Sequence, residues 1–563
     1  MQRGFTENTS CLNTGLLVSE FKNESKVNKT PVFMVTQDGQ RAFDEVWTKS
    51  MLRKVFFSDI PSDFWQMLSS LYSNATTRVK WDNQLSDSFP LYQGVRQGGI
   101  LSSHLYKQFN NDLLDTLQNQ DIGANIGHIK IPAPTCADDI CCLTDNPADL
   151  QTCLYIVENF VNKERCKING SKSDIVRSNT RDIEFNCWEI CGQKIEEKSE
   201  TTHLGITRKS NDTIDIDSVI CKSRKTLYSL FGAGLHGKNG LNPVLSKHIW
   251  STFVTPRSLY GLEIMNLRDK HIKQLEQHQQ NILKQLQWLP DRCANVAVYL
   301  LLGIEPIELQ MDKKVLTLFG QISRDRNSLE YQIAQRQIAI HDINSPSWFS
   351  LVRRTLMKYE LPSALQLLED PIPKNQWKKL LDTKMNEKWH NLQREEKVSK
   401  SSLKYLSTKF CQIGSAHLLW KSVGSNPLDV QKASVKARIL TGSYTLQANR
   451  SKFNQHDVNP LCPLCKKDIE DRKHFILKCE STDIPRQKYL PKIQTIIRDF
   501  DLLIRSEDSE QLLQFIIDAS DFVPNYSGKN QQVLDIIEKL TRDLIYDIHR
   551  THLQLSVSAQ GSH

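Results

Sequence analysis

Asp138 and Asp139 form the only Asp-Asp pair in the chain. They stand between two apolar segments, Ile126–Ile131 and Ile140–Leu143, whose pattern predicts short strands with the pair at a hairpin tip. Adjacent carboxylates repel, and a divalent cation relieves that repulsion. A further apolar run, Val32–Val35, stops at Thr36-Gln37-Asp38 and predicts a buried strand that ends in a third carboxylate. Three carboxylates on neighbouring strands can hold two Mg²⁺ ions in the manner that suits in-line phosphoryl transfer. Taken by themselves, these carboxylates are weak evidence, and a solvated Asp-Asp turn is the more ordinary reading. Between the two carboxylate strands lies Gly94-Val95-Arg96-Gln97-Gly98-Gly99, a glycine-rich turn opening a helix near His104. Such a turn brings backbone close to a phosphate or a base pair.

A second constellation reads C-x₂-C-x₈-H-x₄-C: Cys462, Cys465, His474 and Cys479. Two thiolates from a Cys-x₂-Cys turn, one imidazole and a third thiolate complete a tetrahedral shell for one Zn²⁺. With four protein ligands no position is left open, so the expected role is structural.

The elements that position these groups follow from periodicity. Helices are predicted near 60–83, 104–117 and 147–164, and a strand-rich stretch over 168–206. Residues 1–30 read as polar. From about 215 the periods are helical: 217–233, 242–264, 268–288 and 307–323, then further helices broken near Pro346, Pro362 and Pro371–Pro373, and two or three more over 484–563. With 563 residues the chain is long enough for several domains. No apolar run reaches the roughly 18 residues that a membrane span needs, the start has no secretory pattern, and the 14 cysteines are scattered without a disulfide framework. These features predict an intracellular setting without a membrane partner. The net charge of +8 is concentrated: ten cations against three acids leave +7 within residues 222–284, a footprint suited to a polyanion.

In order and spacing, the motifs resemble the reverse transcriptases of non-LTR (LINE-type) retrotransposons. Asp38-Gly-Gln-Arg-Ala-Phe-Asp44 is similar to that family's first palm motif, Gly94–Ser103 to its Gly-Val-Arg-Gln-Gly…Leu-Ser-Pro motif, and Cys136-Ala-Asp-Asp139 to its aromatic-Ala-Asp-Asp box. Asn169-Gly-Ser-Lys172-Ser173 and His203-Leu204-Gly205 resemble the next two. The resemblance implies an α+β fold: a right-hand palm with partial fingers over 1–210, a helical thumb over 211–325, a helical connection over 326–450, a CCHC zinc unit over 451–485 and a helical tail over 486–563. It implies an RNA-directed DNA polymerase that uses an RNA template, a DNA primer and deoxynucleoside triphosphates. Asp38, Asp138 and Asp139 would hold two catalytic Mg²⁺, and Phe43 would exclude a 2′-hydroxyl. Gln97 and Gly98 would line the nucleotide and template base, Lys172 would meet the departing pyrophosphate, and His203, Leu204 and Gly205 would grip the primer. The chain also departs from the family. In Gln2-Arg-Gly-Phe-Thr-Glu-Asn-Thr-Ser-Cys11, Thr6 and Thr9 stand where the fingers motif carries arginines; Ser103 replaces a proline and Cys136 an aromatic residue. An N-terminally truncated element is therefore expected, and a catalytically inactive nucleic-acid-binding remnant is the alternative. A zinc protein of transcription-factor type accounts only for residues 455–480.

Overall fold

Val32–Gln37 has three β-branched or aromatic apolar residues in six and forms strand β1, buried at every position in the computed structural model. The structure describes residues 2–560 apart from 38, 40, 169–172, 181–186, 236, 238–239, 453–457, 501, 503, 505–507 and 526. With β1 goes a sheet built from β2 (Thr135–Cys136), β3 (Asp139–Thr144), β4 (Asp174–Ser178), β5 (Trp188–Ile190) and β6 (Gln193–Glu197). Its order is β5-β6-β4-β1-β3-β2, with only the β4–β6 pair parallel. β1 is central because both neighbours run antiparallel to it: Val35 pairs with Ile175 on one side and Cys142 on the other. One face of the sheet, carrying Phe33, Val35 and Cys142, packs on Leu150, Cys153, Leu154, Val157 and Val161 of helix Pro147–Glu164. That helix starts as its sequence dictates: Asn146 accepts the Ala148 N–H at the N-cap, and Pro147 occupies the first turn, where no N–H is needed.

The stretch that reads as polar, residues 1–30, instead contains α1 (Cys11–Asn28), which is buried along most of its length. Glu20 is 1 % exposed. Its carboxylate accepts the Trp348 N–H at 3.0 Å and the Gln337 amide at 3.3 Å. Glu24 accepts from Arg336 at 2.7 Å, and Arg208 donates to the Gly15 carbonyl and the Ser19 hydroxyl. These distant partners satisfy the polar side chains that mask the helix in the sequence.

The chain divides into two compact units. The first comprises residues 1–215, 260–267 and 314–379; the second comprises 216–259, 268–313 and 380–563. These units cut across the five segments expected from sequence. Residues 314–379 fold with the sheet because Glu330, Gln337 and Trp348 are the partners of Arg3, Glu20 and Glu24. The short stretch 260–267 joins them: the Trp348 indole donates to the Glu263 carbonyl at 2.7 Å. The second unit is helical, with one core drawn from helices 216–228, 269–286, 295–302, 427–440, 509–517 and 528–560. The helix breaks at Pro346, Pro362 and Pro371–Pro373 fall where the prolines predict, between helices 329–340, 348–358, 364–369 and 374–398. Over 60–83 the helix stops at Tyr72. A two-stranded ribbon follows, turning at Asp82-Asn83, both at positive φ. Among the described residues no helix is long and apolar enough to cross a membrane.

Burial pushes the Glu20 carboxyl from its ordinary 4.5 up to about 7. The folded chain therefore keeps a proton that the unfolded chain releases between these values. That stabilisation is complete below pH 4.5 and disappears as pH rises through 7, an effect of about 3 kcal/mol. Glu20→Gln should remove this part of the pH dependence. Hydrogen exchange of the α1 amides at about pH 5 and about pH 7 checks it: opening should become easier at the higher pH in the parent chain and stay level in the variant.

Candidate active site and candidate metal centre

Cys136 pairs with Asp139 in the β2–β3 hairpin, so Ala137 and Asp138 form a two-residue tip. Ala137 has φ +60°, a conformation that favours glycine. It is held there by Gln2, whose amide donates to the Ala137 carbonyl at 2.9 Å while its side-chain oxygen accepts the Ala137 N–H at 2.8 Å. Gly4 completes the clamp: a Cβ there would lie 2.2 Å from the Ala137 nitrogen. The motif that opens the chain contains Gln2 and Gly4, but the sequence alone assigns them no role. Their signal is the Gln-x-Gly spacing itself, an amide that reads one peptide unit and a residue small enough to let it approach. Asp138 and Asp139 are both half-buried at this tip.

Gln37, the last residue of β1, pairs with Ile140, next to Asp139. Asp38 lies outside the described residues, as do Lys172 and Asn169–Ser171. Their convergence with the Asp pair therefore stands as an expectation.

The segment after β1 is tied to the glycine-rich turn. Val95 N–H donates to the Phe43 carbonyl and Gly94 N–H to the Val46 carbonyl, each at 2.8 Å. Gly94, with φ +98°, sits so close that a Cβ would be 3.2 Å from the Asp44 carbonyl oxygen. The Phe43 ring, half-buried, stacks on Tyr106 at 4.8 Å and 12°, and meets Phe5 edge-on at 6.1 Å. Tyr106 is buried deeply enough that its hydroxyl is held well above its usual range, chiefly by desolvation, and the Asp138 charge adds to the rise. Gln97 is exposed and donates to the Asp44 carboxylate at 3.2 Å; Gly98 is exposed too. These two residues and Phe43 are brought to one locality.

His203 departs from its expected role. Its side chain is 2 % exposed, and burial, aided by the Arg208 charge, pushes its pKa down to about 3. Neither ring nitrogen finds a hydrogen-bond partner among the described residues. A buried neutral imidazole cannot contact a primer. What the hairpin presents is the turn itself, Leu204 and Gly205 at φ +52° and +75°. Thr6 and Thr9, where the motif carries arginines, are spent locally: Thr6 Oγ donates to the Gln2 carbonyl and Thr9 Oγ to the Arg3 carbonyl.

In the second unit, Cys462, Cys465, His474 and Cys479 place one ligand atom each within 4.8 Å of all the others. Cys462 and Cys479 sulfurs are 3.8 Å apart, and Cys465 sulfur is 3.3 Å from His474 Nε2. Tetrahedral Zn–S bonds of about 2.3 Å demand ligand separations of roughly 3.8 Å, so the donor set fits zinc. The turn is built for it. Lys466 takes φ +57°, which lets its N–H donate to the Cys462 carbonyl at 2.9 Å. Against the upward pull of burial, the Lys467 and Asp468 N–H groups hold the Cys465 thiol below its usual value. His474 Nδ1 is turned toward the Asp468 carboxylate at 3.6 Å, which leaves Nε2 for the metal. The cluster is not a detached unit. Phe475 and Ile476 are buried in the helical core, Phe475 against Tyr444 and His552, and Glu470 accepts from His552 and from the Gln447 N–H.

In the same unit, Lys222, Arg224, Lys225, Arg257, Arg268, Lys270 and Lys273 are exposed on helices that pack together. Lys247 and Lys284 are instead tied to backbone carbonyls, and Lys238 lies outside the described residues.

Residues 1–208 match the family described as reverse transcriptase (RNA-dependent DNA polymerase). The retrovirus-related Pol polyprotein from type-1 retrotransposable element R2 of Popillia japonica is 29% identical over 174 residues, 31% of this chain and 24% of that protein. The RNA-directed DNA polymerase from mobile element jockey of Drosophila melanogaster is 24% identical over 282 residues, 48% of this chain and 30% of that protein. The matches thus span less than a third of either relative. The apo telomerase from Candida Tropicalis aligns over 67% of this chain and 57% of that one at 14% identity, with a TM-score of 0.28.

Proposed function

We propose, for a chain whose first 208 residues are a reverse transcriptase domain of the non-LTR retrotransposon kind, that it extends a DNA primer on an RNA template. The observation that carries this reading is the hairpin tip. Two carboxylates stand at the tip beside the strand that leads to Asp38, and the glycine-rich turn with Gln97 is tied to the Phe43–Asp44 segment that follows that strand. All-oxygen donors of this kind suit Mg²⁺. Two Mg²⁺ held by Asp38, Asp138 and Asp139 would supply Lewis-acid activation and charge neutralisation at the transferred phosphoryl group. The chain's own residues do the positioning. Gln2 and Gly4 fix the tip, the Phe43–Tyr106 stack forms a rigid floor for the sugar, and Gln97 and Gly98 offer an amide and open backbone to the nucleotide and template base. Lys172 meets the pyrophosphate as it leaves. The turn at Leu204–Gly205 supports the primer strand through its backbone. The zinc centre holds residues 460–482 on the helical core and takes no part in the chemistry. The test is primer extension on poly(rA)/oligo(dT) with Mg²⁺; no extension by a folded chain would overturn the reading. The Thr6 and Thr9 hydroxyls supply no cation for a triphosphate, which is the one observation that favours a nucleic-acid-binding remnant instead.

Two further outcomes are expected. Phe43→Ala should admit ribonucleotides, lowering sugar discrimination on the order of tenfold or more. Single-nucleotide incorporation of matched deoxy- and ribonucleotides measures this, and unchanged discrimination would leave Phe43 as packing alone. Replacing Lys222, Arg224 and Lys225 with Ala should weaken binding to template–primer at every sequence. If all three meet phosphates, the slope of log affinity against log salt should flatten by about 2–3.

A further inference from the structure

Cys11 is the first residue of α1, and Cys136 ends the strand that leads into the Asp138–Asp139 tip. Their sulfurs lie 3.3 Å apart. Cys11 is partly exposed, whereas Cys136 is 8 % exposed. The two thiols thus touch, and Cys11 is the more exposed residue of the pair. A second pair of neighbouring thiols, Cys142 and Cys153, differs in this respect: both are 0 % exposed within the sheet–helix core.

We propose that Cys11 and Cys136 form a redox-modifiable dithiol, closed by peroxides, whose disulfide switches the neighbouring carboxylate tip to a less active state. The switching half rests on the polymerase reading above; the disulfide itself does not. In the first step the Cys11 sulfur attacks a peroxide oxygen, the O–O bond breaks, and Cys11 becomes a sulfenic acid as an alcohol or water leaves. In the second, the Cys136 sulfur attacks the Cys11 sulfur, the S–O bond breaks and water departs. Two thiols lose two electrons and two protons; one peroxide gains them. A dithiol reductant reverses the sequence by exchange.

The mechanical consequence follows from the surroundings. Bond formation draws the sulfurs from 3.3 Å to about 2.0 Å. On the Cys11 side, α1 is buried from Asn13 to Ser25 and anchored through Glu20, Glu24 and the Arg208 contacts. On the Cys136 side stands a two-residue strand and a tip already held at an unfavourable φ by the Gln2 clamp. Closing the bond therefore pulls on the short strand that carries the tip, two residues from Asp138, against the Gln2 clamp that sets the tip's backbone. Misplacing a reacting group by about 1 Å can cost as much as 10²-fold in rate, so a loss of extension of roughly tenfold or more is expected on oxidation.

The full chain, reduced and loaded with zinc, is exposed to hydrogen peroxide, quenched with an alkylating agent and digested without reductant. Mass spectrometry with fragmentation locates any bond, because Cys136 shares its tryptic peptide with Cys141, Cys142 and Cys153. Primer extension is followed in parallel, before and after dithiothreitol. The expected result is a Cys11–Cys136 crosslink, alkylated Cys142 and Cys153, and extension that falls and recovers in the parent chain but not in Cys11→Ser. A loss shared by Cys11→Ser would come from the zinc thiols and overturn the switch. So would a crosslink that leaves extension unchanged. Cys11 oxidised to sulfinic acid with Cys136 still alkylated would overturn the dithiol. If the reduced chain shows no extension, the polymerase reading fails and the switch with it, while the crosslink map still decides the dithiol.

Discussion

Asp138→Asn should reduce primer extension by about 10³-fold or more while the fold survives. The exchange keeps shape and removes one negative charge at the point where the transferring phosphoryl group must be stabilised, and electrostatic positioning is nearly all that catalyses such a transfer. Survival of the fold follows from the position. Asp138 is half-buried at a turn whose backbone is held by Gln2, not by the carboxylate. Primer extension with Mg²⁺ gives the rate, and unchanged hydrogen exchange of the β2–β3 hairpin shows that the tip is intact. Retained synthesis would remove Asp138 from the metal site.

The second large effect belongs to the Cys462, Cys465, His474 and Cys479 cluster as the proposed zinc site. Cys465→Ser, or chelation of the parent chain, should lower the melting temperature of the helical unit by about 10 °C. Structural zinc contributes on the order of 10 kcal/mol to folding in isolated fingers, and for a unit of this size about half of that corresponds to such a shift. The loop between Cys465 and His474 cannot hold itself: its one large apolar residue, Ile469, is 54 % exposed. Without metal, Phe475 and Ile476 lose the tether that docks them in the core. Metal content by mass spectrometry and calorimetry of the full chain check this, and a cobalt-loaded sample should absorb as a tetrahedral thiolate site. A chelated chain that melts at an unchanged temperature, or a Cys465→Ser chain that keeps one tightly bound zinc, would reject it.

Where the sequence is legible, side-chain type and environment agree. Val32–Gln37 is apolar and central, and C-x₂-C-x₈-H-x₄-C brings its four ligand atoms within 4.8 Å of one another. The hairpin tip at Asp138 is legible only in part: Ile126–Ile131, which reads as the entering strand, folds back on itself as Asn125–Ile126 against Ile129–Lys130, and the strand that enters the tip is Thr135–Cys136, too short to carry a period. Helix α1 is not legible, because Asn13, Ser19, Glu20, Lys22 and Glu24 are buried with polar partners. Several of the partners of this helix lie more than 300 residues away, and no local pattern encodes them. His203 fails differently: the motif falls on a tight hairpin turn, but alternation along Glu200–His203 sends that side chain inward with Thr201. The ribbon over 80–85 has its signal in Asp82-Asn83, a pair that tolerates the left-handed turn a tight hairpin needs.

The interleaving of the two units along the chain bears on how the protein is made. At roughly 5–20 residues per second, the ribosome needs about ten to thirty seconds to pass from residue 215 to residue 379. Throughout that interval the sheet exists without Glu330, Gln337 and Trp348, and Glu20 and Glu24 face water or a chaperone instead of their partners. Meanwhile, residues 216–259 and 268–313 emerge before the 380–563 segment that completes their own core. Neither half can finish early, so the nascent chain carries two unfinished surfaces at once, one of buried polar groups without partners and one of open apolar core. A polypeptide ended after the palm motifs would be arrested in that state permanently. Expression cut near residue 215 should therefore yield aggregates, and cuts beyond residue 379 should restore a closed sheet domain.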